Sequence, residues 1–275
     1  MYIYIYIYIY KMTSKLNKSC IIRRLNDASQ NGRLEDIECL IPLGLTLEDV
    51  RSNDNHALIL ASNYGHLEVV KYLISLGLTL DDVRSNNYRA LLLATHFGHF
   101  EVVKYFLSLG LTLEDVRSQN NSLLVYTSVY GNLEVVKHLV SLGLTIEDVR
   151  SDNNFILKNA TTNGRLDLIK YLISLGITLE DIRMQNNAIL RNALLSRHLE
   201  VAKYFISLGL TIDDVRSENN FALSYASRSG HLEVVEYLIS LGLTEEDILS
   251  SIEDEDKRSI ALSFLGGSAT KSARK

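Results

Sequence analysis

One glycine recurs through this chain at a constant interval of 33 residues, and this periodicity constrains the fold more than any other feature. It is the glycine of "SLGLT" and its close variants, found at Gly44, Gly77, Gly110, Gly143, Gly176, Gly209 and Gly242. A second glycine follows 21 positions later in five of these intervals, and Gly32 lies on the same grid. Residues 11–241 therefore hold seven repeats in register, which we number one to seven. Such a period is typical of a solenoid of stacked units.

Each repeat predicts two helices preceded by a capped turn. Thr46 and Asp49 have the spacing of a capping box, and an Asn-rich stretch follows that suits left-handed backbone and helix caps. A short helix then carries Leu58 and Ala61 and ends at Gly65, which supplies the left-handed exit. The longer helix "HLEVVKYLISLG" is amphipathic. Two such helices cannot bury both apolar faces alone, so neighbouring repeats must stack.

The period of 33, the paired helices and "GHLEVVKYLISLG" resemble ankyrin repeats. The Asn-rich variant "RSNN" before the first helix is similar to the ankyrin arrays of giant DNA viruses of amoebae. The resemblance covers roughly residues 20–241 and implies an all-α ankyrin-repeat solenoid of stacked helix-turn-helix units.

Three departures from the family pattern change this expectation locally. The Thr-Pro-Leu-His opening is absent, and Asp54 and its equivalents stand where the family has the glycine of its β-hairpin finger. With the capping signal at Thr46, we expect the fingers to be shortened or partly helical. In the sixth repeat Arg197 replaces the second glycine, so this residue must adopt left-handed backbone or reshape the turn.

The repeats divide the chain into four predicted segments. Residues 1–19 form a low-complexity tail and lead-in, residues 20–241 the array with a degenerate first repeat, residues 242–265 a C-terminal cap, and residues 266–275 a disordered basic tail. The opening "MYIYIYIYIY" has no basic n-region and is too short to span a bilayer. It is interpreted either as a poorly ordered tail or translation artefact, or as an edge strand or oligomerisation tag.

Composition excludes several functional classes. The 28 basic and 33 acidic residues give a net charge of −5, which argues against electrostatic binding of nucleic acid. No apolar run approaches the roughly 20 residues of a membrane span. Cys20 and Cys39 are too few for a disulfide scaffold or a structural zinc site, and we expect reduced thiols. These features predict an intracellular protein in the cytoplasm, which would be the host cytoplasm for a viral chain.

No motif predicts catalysis, a cofactor or a metal. GxGxxG and GxxxxGK[ST] are both missing, and no serine has a histidine and an acid in a nucleophile elbow. Four histidines occupy one repeat position, where packed helices would hold them about 10 Å apart, too far to share a metal. We interpret these four as solvent-exposed turn residues: His66, His99, His198 and His231.

Acidic pairs and arginines recur in every repeat and predict contacts between repeats. Glu48 and Asp49, with Arg51 two residues on, represent this pattern. We expect a solvated ladder of ion pairs that sets the stacking register, each exposed pair contributing about 0.2–1 kcal/mol.

The first helices differ between repeats, whereas the second helices barely change. In ankyrin arrays the first helices line the concave groove, so the resemblance places this variation on the usual binding surface. Exposed aromatic side chains are common interface anchors. The predicted partner-binding residues are His56, Asn63, Tyr64, Arg89, His96, Phe97, Val129, Tyr130, Phe155, Thr162, Asn163, Phe221 and Arg228.

The predicted function is a non-catalytic scaffold that binds a partner protein on the concave face, with a host factor as a candidate partner. The alternative is a structural component that self-associates through the N-terminal tail or the convex Lys-Tyr ladder; otherwise we expect a monomer. A third interpretation, a substrate adaptor for a ubiquitin ligase, is disfavoured because only 33 residues follow Gly242, too few for an F-box. We expect no membrane or nucleic-acid partner.

Overall fold

The structure is a computed structural model that describes residues 17–272, with the backbone alone for 118–122 and 266–272. Every regular element in this range is an α-helix, which confirms the prediction of an all-α fold. The interpretations of residues 1–10 and of residues 273–275 lie outside the described part. The chain divides into two compact regions, Met1–Leu144 and Thr145–Lys275.

The first region holds repeats one to four. Its helices are α1 (Lys18–Gln30), α2 (Leu34–Glu38), α3 (Leu47–Val50), α4 (Ser52–Asn63), α5 (Leu67–Ser75), α6 (Leu80–His96), α7 (Phe100–Ser108), α8 (Leu113–Tyr130) and α9 (Leu133–Ser141). Pro42 explains why α2 is shorter than the nine-residue second helices of later repeats. It has no N–H to donate to the carbonyl oxygen of Glu38, where the helix ends.

The second region holds repeats five to seven and two further helices. Its helices are α10 (Ile146–Thr162), α11 (Leu166–Ser174), α12 (Leu179–Leu195), α13 (Leu199–Ser207), α14 (Ile212–Val215), α15 (Ser217–Arg228), α16 (Leu232–Ser240), α17 (Glu245–Ser251) and α18 (Glu255–Ser272). Helix α18 continues through residues 266–272, for which the sequence analysis expected disorder.

Apolar side chains from both helices of a repeat meet in the core. Leu58 and Ala61 of α4 are fully buried, as are Val70 and Leu73 of α5. In the degenerate first repeat Asp36 takes the place of a buried valine and is exposed to solvent, paired with a neighbouring arginine. The exposure of Asp36 agrees with the expectation that an aspartate at this position suits a capping repeat that faces water.

A capped helical turn stands where the family has its finger. Thr46 accepts a hydrogen bond from the Asp49 backbone N–H, and the Asp49 carboxylate accepts one from the Thr46 N–H at 3.0 Å. The same reciprocal box opens the equivalent turn in the later repeats, as at Thr178 and Thr211. The prediction of shortened, partly helical fingers is therefore confirmed.

A left-handed turn then joins this capped turn to the first helix proper. In five repeats three successive residues have φ between 49° and 61°, for example Asn153 at 58° and Asn154 at 59°. Asn and Asp tolerate this conformation, whereas it costs most other residues about 1–2 kcal/mol each. The Asn-rich composition of the turn follows from this preference. The third residue of the turn points toward the next repeat: the Asn154 side-chain NH₂ lies 3.4 Å from the Asp181 carbonyl oxygen.

One carboxylate of each acidic pair joins its repeat to the one before. The Asp214 carboxylate accepts the Thr211 backbone N–H at 2.7 Å and two bonds from Arg183 of the previous repeat, at 2.9 and 3.1 Å. The Arg183 guanidinium also reaches the Gly209 carbonyl oxygen. One side chain thus closes its own helix cap and holds the preceding repeat in register.

The same arrangement recurs along each compact region. The arginine–aspartate pairs are Arg51–Asp82, Arg84–Asp115, Arg150–Asp181, Arg183–Asp214 and Arg216–Asp247. The predicted role in stacking register is supported by this geometry, but the expectation of a solvated ladder was wrong. The Asp214 side chain is only 10% exposed, so the attraction is screened less than at an open surface. Only the other carboxylate of each pair is solvated: Asp213 is 86% exposed.

Hydrogen bonding keeps these aspartates ionised in the folded chain. The Arg183 guanidinium lowers the pKa of Asp214 against the opposing effect of burial, and Arg84 does the same for the pKa of Asp115. At Asp247, burial would raise the pKa, but bonds from Arg216 and Thr244 outweigh it and lower the pKa.

We expect Asp214→Ala to destabilise the chain by about 1–3 kcal/mol, because it removes a helix cap and the largely buried carboxylate that binds Arg183 of the preceding repeat. Asp213→Ala is the matched control one residue away, and we expect a change within about 0.5 kcal/mol. Chemical denaturation followed by circular dichroism measures both. Equal losses in the two variants would contradict the structural difference between the two carboxylates.

We also expect stability to fall in acid. A carboxylate whose pKa is lower in the folded state stabilises it above the unfolded value of about 3.9, and this stabilisation is lost as the pH falls toward the folded value. The urea midpoint should stay level from about pH 7 to about pH 5 and drop below about pH 4. Asp214→Asn should shrink that drop, and an unchanged profile in the variant would contradict the proposed role of this group.

Candidate protein-interaction surface

The variable residues lie on one side of the first helices, which we call the first-helix surface. Side chains with substantial exposure are those of His56, Tyr64, Arg89, Phe97, Phe155, Thr162, Phe221 and Arg228. The half-buried members are Asn63, His96, Val129, Tyr130 and Asn163. Phe97 is 54% exposed and Tyr64 47%, which is high for aromatic side chains.

Four rings of the first region gather on helices α6 and α8. The centroid of the His96 ring lies 4.4 Å from that of Phe97 and 4.0 Å from that of Tyr130. Tyr126 completes the group, with ring centroids 6.0 Å from His96 and 6.1 Å from Tyr130. We call His96, Phe97, Tyr126 and Tyr130 the aromatic cluster. Its members stabilise one another through ring contacts and still leave about half of the Phe97 side chain exposed.

Tyr126 was missed by the sequence analysis. It lies four residues before Tyr130, so both rings lie on the same side of α8. The equivalent residue of the seventh repeat, Tyr225, was missed as well and stacks on Phe221 at 6.3 Å in the second region. The helical spacing of four residues was the signal that could have found both.

Several other predicted site residues have local partners. The Thr162 hydroxyl donates to the Lys158 carbonyl oxygen at 2.9 Å. The Asn163 side-chain amide donates to the Asn159 backbone carbonyl oxygen, also at 2.9 Å. These polar groups complete the end of α10. In the first region the Tyr64 hydroxyl accepts a bond from the Gln30 amide at 3.3 Å.

The histidines that open the second helices connect neighbouring repeats. Nε2 of His66, His99 and His198 lies 3.0 Å from the backbone carbonyl oxygen of the residue 36 positions earlier. Because a carbonyl oxygen only accepts, Nε2 must carry the proton in each. All three rings are half-buried. Their interpretation as solvent-exposed turn residues was therefore wrong: they are structural ties between repeats.

The glycine of the preceding repeat provides the space for each ring. Gly65 has φ of 75°, and a Cβ built there would lie 2.4 Å from the His99 ring. Gly164 stands in the same relation to His198, again at 2.4 Å. This glycine is therefore needed twice, for its left-handed backbone and for the absence of a side chain beneath the ring.

Arg197 illustrates the consequence of losing that glycine. It adopts φ of 63°, the left-handed conformation that the sequence analysis gave as one of two outcomes. In the part of the chain that the structure describes, the following histidine, His231, has no hydrogen bond to the Leu195 carbonyl oxygen. Its ring lies edge-on to Tyr225 at 6.1 Å. The Arg197 side chain thus coincides with the loss of one inter-repeat tie.

Among residues 17–272, no three His, Cys, Asp or Glu side chains are placed to hold a metal ion together. Cys20 and Cys39 are both free thiols, the first half-buried and the second exposed. Within the same described range, no helix combines the length and apolarity needed to cross a bilayer.

Comparison with known families agrees with this architecture. A family model described as "Ankyrin repeats (3 copies)" matches residues 25–115 and 179–248, more than half of the chain. The chain therefore belongs to the ankyrin-repeat family. Proteins built from these repeats are generally protein–protein interaction modules and typically non-enzymatic scaffolds. The comparison with curated proteins finds no match.

We expect Arg197→Gly to stabilise the chain by about 1 kcal/mol, because glycine adopts the left-handed conformation without strain. The substitution should also let His231 form the missing bond. The converse control, Gly164→Arg, should be destabilising because the His198 ring occupies the space required. Denaturant unfolding measures the stabilities, and the imidazole N–H signal of His231 in NMR reports the bond. A less stable Arg197→Gly variant would contradict this account.

Proposed function

We propose that this chain is a non-catalytic scaffold whose first-helix surface binds a partner protein, with the aromatic cluster and Tyr64 as the contact residues in the first region. The observation that carries the proposal is the cluster itself. Four rings meet at the positions that vary between repeats, and Phe97 remains 54% exposed. Tyr and Phe side chains provide large contact areas at low entropic cost, as binding anchors require.

Packing between repeats accounts for only part of this cluster. His96 and Tyr130 are half-buried and contact each other, so they also contribute to the stack. Phe97 and Tyr64 are exposed, and serine or asparagine fills their position in the fifth, sixth and seventh repeats. A large apolar ring is thus dispensable for stacking at this position. Its presence in three successive repeats of the first region supports a binding role.

The resemblance to viral arrays supports a finer proposal. In ankyrin arrays the first helices line the concave groove, and a viral chain would meet host proteins inside an infected cell. We propose that the partner is a host protein in the cytoplasm and that one of its segments lies along the first-helix surface.

Contacts on the second helices argue against the structural alternative, in which the convex Lys-Tyr ladder mediates self-association. The Lys170 ammonium lies 5.8 Å from the centre of the Tyr204 ring, and that of Lys203 lies 6.0 Å from the Tyr237 ring. Lys203 also pairs with Glu200 at 2.8 Å. These ladder residues are engaged within the chain, so a second copy would have to compete with existing contacts.

We expect the triple variant Tyr64→Ser, Phe97→Ser, Tyr130→Asn to bind the partner at least about tenfold more weakly than the unmodified chain. These replacements occur at the same position in other repeats, so folding should be retained. Affinity capture from host-cell lysate with mass spectrometry identifies the partner, and calorimetry with the purified partner gives the dissociation constants.

The matched control is Lys71→Ser, Lys104→Ser, Lys137→Ser, which changes the same three repeats on the second helices. The proposed surface would be overturned if this control lost binding while the triple variant of Tyr64, Phe97 and Tyr130 retained it. Sedimentation of the full chain tests the alternative. A concentration-dependent dimer that disappears on deletion of residues 1–10 would favour a self-associating component.

A further inference from the structure

The first helices of the second region carry basic residues and no acidic ones. After the left-handed turn, the eight residues of each first helix contain no aspartate or glutamate in repeats five, six and seven. Each of these helices holds one lysine or arginine, and we call the three residues the basic strip: Lys158, Arg191 and Arg228. The acidic residues of the same repeats lie on the capped turns, the left-handed turns and the second helices. Charge is thus segregated in a chain whose net charge is −5.

The basic strip belongs to the first-helix surface. Lys158 lies three residues after Phe155 and four before Thr162, so helical spacing puts the three side chains on one side of α10. Arg191 has the same position in the sixth repeat, and Arg228 lies one helical turn further along in the seventh. Arg228 is in the last turn of its helix, where the helix dipole favours a cation. Lys158 and Arg191 lie before the last turn, so the dipole does not explain them.

In the described part of the chain, no carboxylate forms an ion pair with the basic strip. Arg191 donates to the Asn186 backbone carbonyl oxygen at 3.0 Å, which leaves further N–H groups of its guanidinium for a ligand. The Glu218 carboxylate accepts a bond from the Asn186 amide at 2.7 Å and so partly offsets the charge of Arg191. Asp152 is the other carboxylate on these left-handed turns, and it is exposed. The charge of Lys158 therefore remains available to a partner.

Arg228 has acidic neighbours of its own chain. It lines a polar pocket of about 200 Å³ together with Lys257, Glu253 and Asp254. Two cations and two carboxylates balance each other there, so the pocket itself does not select an anion. The preference for an acidic ligand consequently rests on the other two members of the basic strip.

The spacing of the repeats sets the spacing of the ligand's charges. Neighbouring helices pack about 8–10 Å apart, so Lys158 and Arg191 are separated by about one such step along the stack. A segment in the polyproline II conformation advances about 9 Å in three residues and returns every third side chain to the same side. Exposed rings of Phe155 and Phe221 lie on the same surface and can take apolar residues between the charges.

We infer that the partner's segment on this surface is acidic and extended, with carboxylate side chains three residues apart that pair with Lys158 and Arg191. Charge complementarity supports this occupant, because cations without acidic partners gather on the first helices of an otherwise acidic chain. The inference rests on the proposed function and deepens it, because it gives the charge and the spacing of a segment of the partner protein.

The first test titrates the full chain with capped nine-residue peptides and follows backbone amides by ¹⁵N NMR at about 50 mM salt, where exposed charges are weakly screened. The probe is three copies of Glu-Pro-Pro, and we expect saturable shifts at Lys158 and Arg191 in the millimolar range. The same peptide with glutamine in place of glutamate should bind at least about threefold more weakly. Equal binding of the two peptides, or no saturable shift, would overturn the inference.

Two further ligands test the spacing and the class of partner. A peptide of the same composition with glutamate at every second position should bind at least about threefold more weakly than the Glu-Pro-Pro peptide. Equal binding would overturn the assigned spacing. A thymidine tetranucleotide also carries three negative charges, on phosphate groups. Tighter binding of this tetranucleotide than of the Glu-Pro-Pro peptide would overturn the assignment to an acidic protein segment.

Substitution of the two cations has a matched control on the second helices. Lys158→Gln with Arg191→Gln should weaken binding of the Glu-Pro-Pro peptide at least about threefold. Apolar residues fill this position in the second to fourth repeats, so folding should be retained, and circular dichroism checks it. Lys170→Gln with Lys203→Gln removes the same charge from the same two repeats and should leave binding unchanged. Equal weakening by both pairs would reduce the effect to net charge and contradict the assigned location.

The purified partner separates this inference from the proposed function. If the triple variant of Tyr64, Phe97 and Tyr130 loses the partner while the variant of Lys158 and Arg191 binds it fully, the basic strip is excluded and the proposed surface stands. If the variant of Lys158 and Arg191 binds the partner at least about threefold more weakly and its matched control does not, the basic strip is supported. If neither variant affects binding, the proposed surface fails and the basic strip fails with it.

Discussion

The stack depends on a recurring carboxylate that serves two repeats at once. Asp214 represents the group: it closes the capping box at Thr211 and binds Arg183 of the preceding repeat through two hydrogen bonds. Because cap and contact share one side chain, the capped turn cannot form in a different register without losing its neighbour. Backbone N–H groups and a guanidinium satisfy the charge, so its partial burial is stabilising.

In three repeats a histidine provides a second tie at the other end of the helix pair. His99 crosses to the Asn63 carbonyl oxygen and rests on Gly65, which must lack a side chain. Together the aspartate and the histidine hold both ends of the helix pair. Neither residue lies on the first-helix surface. That side is therefore free to vary in sequence without loss of stacking. A scaffold of this kind separates the residues that hold repeats together from those available to a partner.

The deviations from the repeat are consequently informative. Arg197 replaces a glycine and coincides with the loss of one histidine tie, and we expect this change to lower stability. Asn132 replaces a histidine, and its amide donates to the Thr95 carbonyl oxygen, which is a different contact across the repeat boundary. Both substitutions were visible in the sequence, but their meaning depends on the partner across the repeat boundary. The contact between Gly98 and Asn132 joins residues 34 positions apart, and no local pattern describes it.

The all-α repeat architecture, the capped turns and the buried faces of both helices could be predicted from the amino-acid sequence. Helical periodicity, capping spacing and glycine conformation are local properties, so Thr46, Leu58 and Gly65 could be interpreted without a structure. The folded chain was needed to show which of two adjacent carboxylates turns inward, that the histidines tie repeats together, and that Tyr126 joins the aromatic cluster. These outcomes depend on side chains about 30 positions apart that stacking brings together, and their directions follow from packing between repeats, which periodicity does not specify.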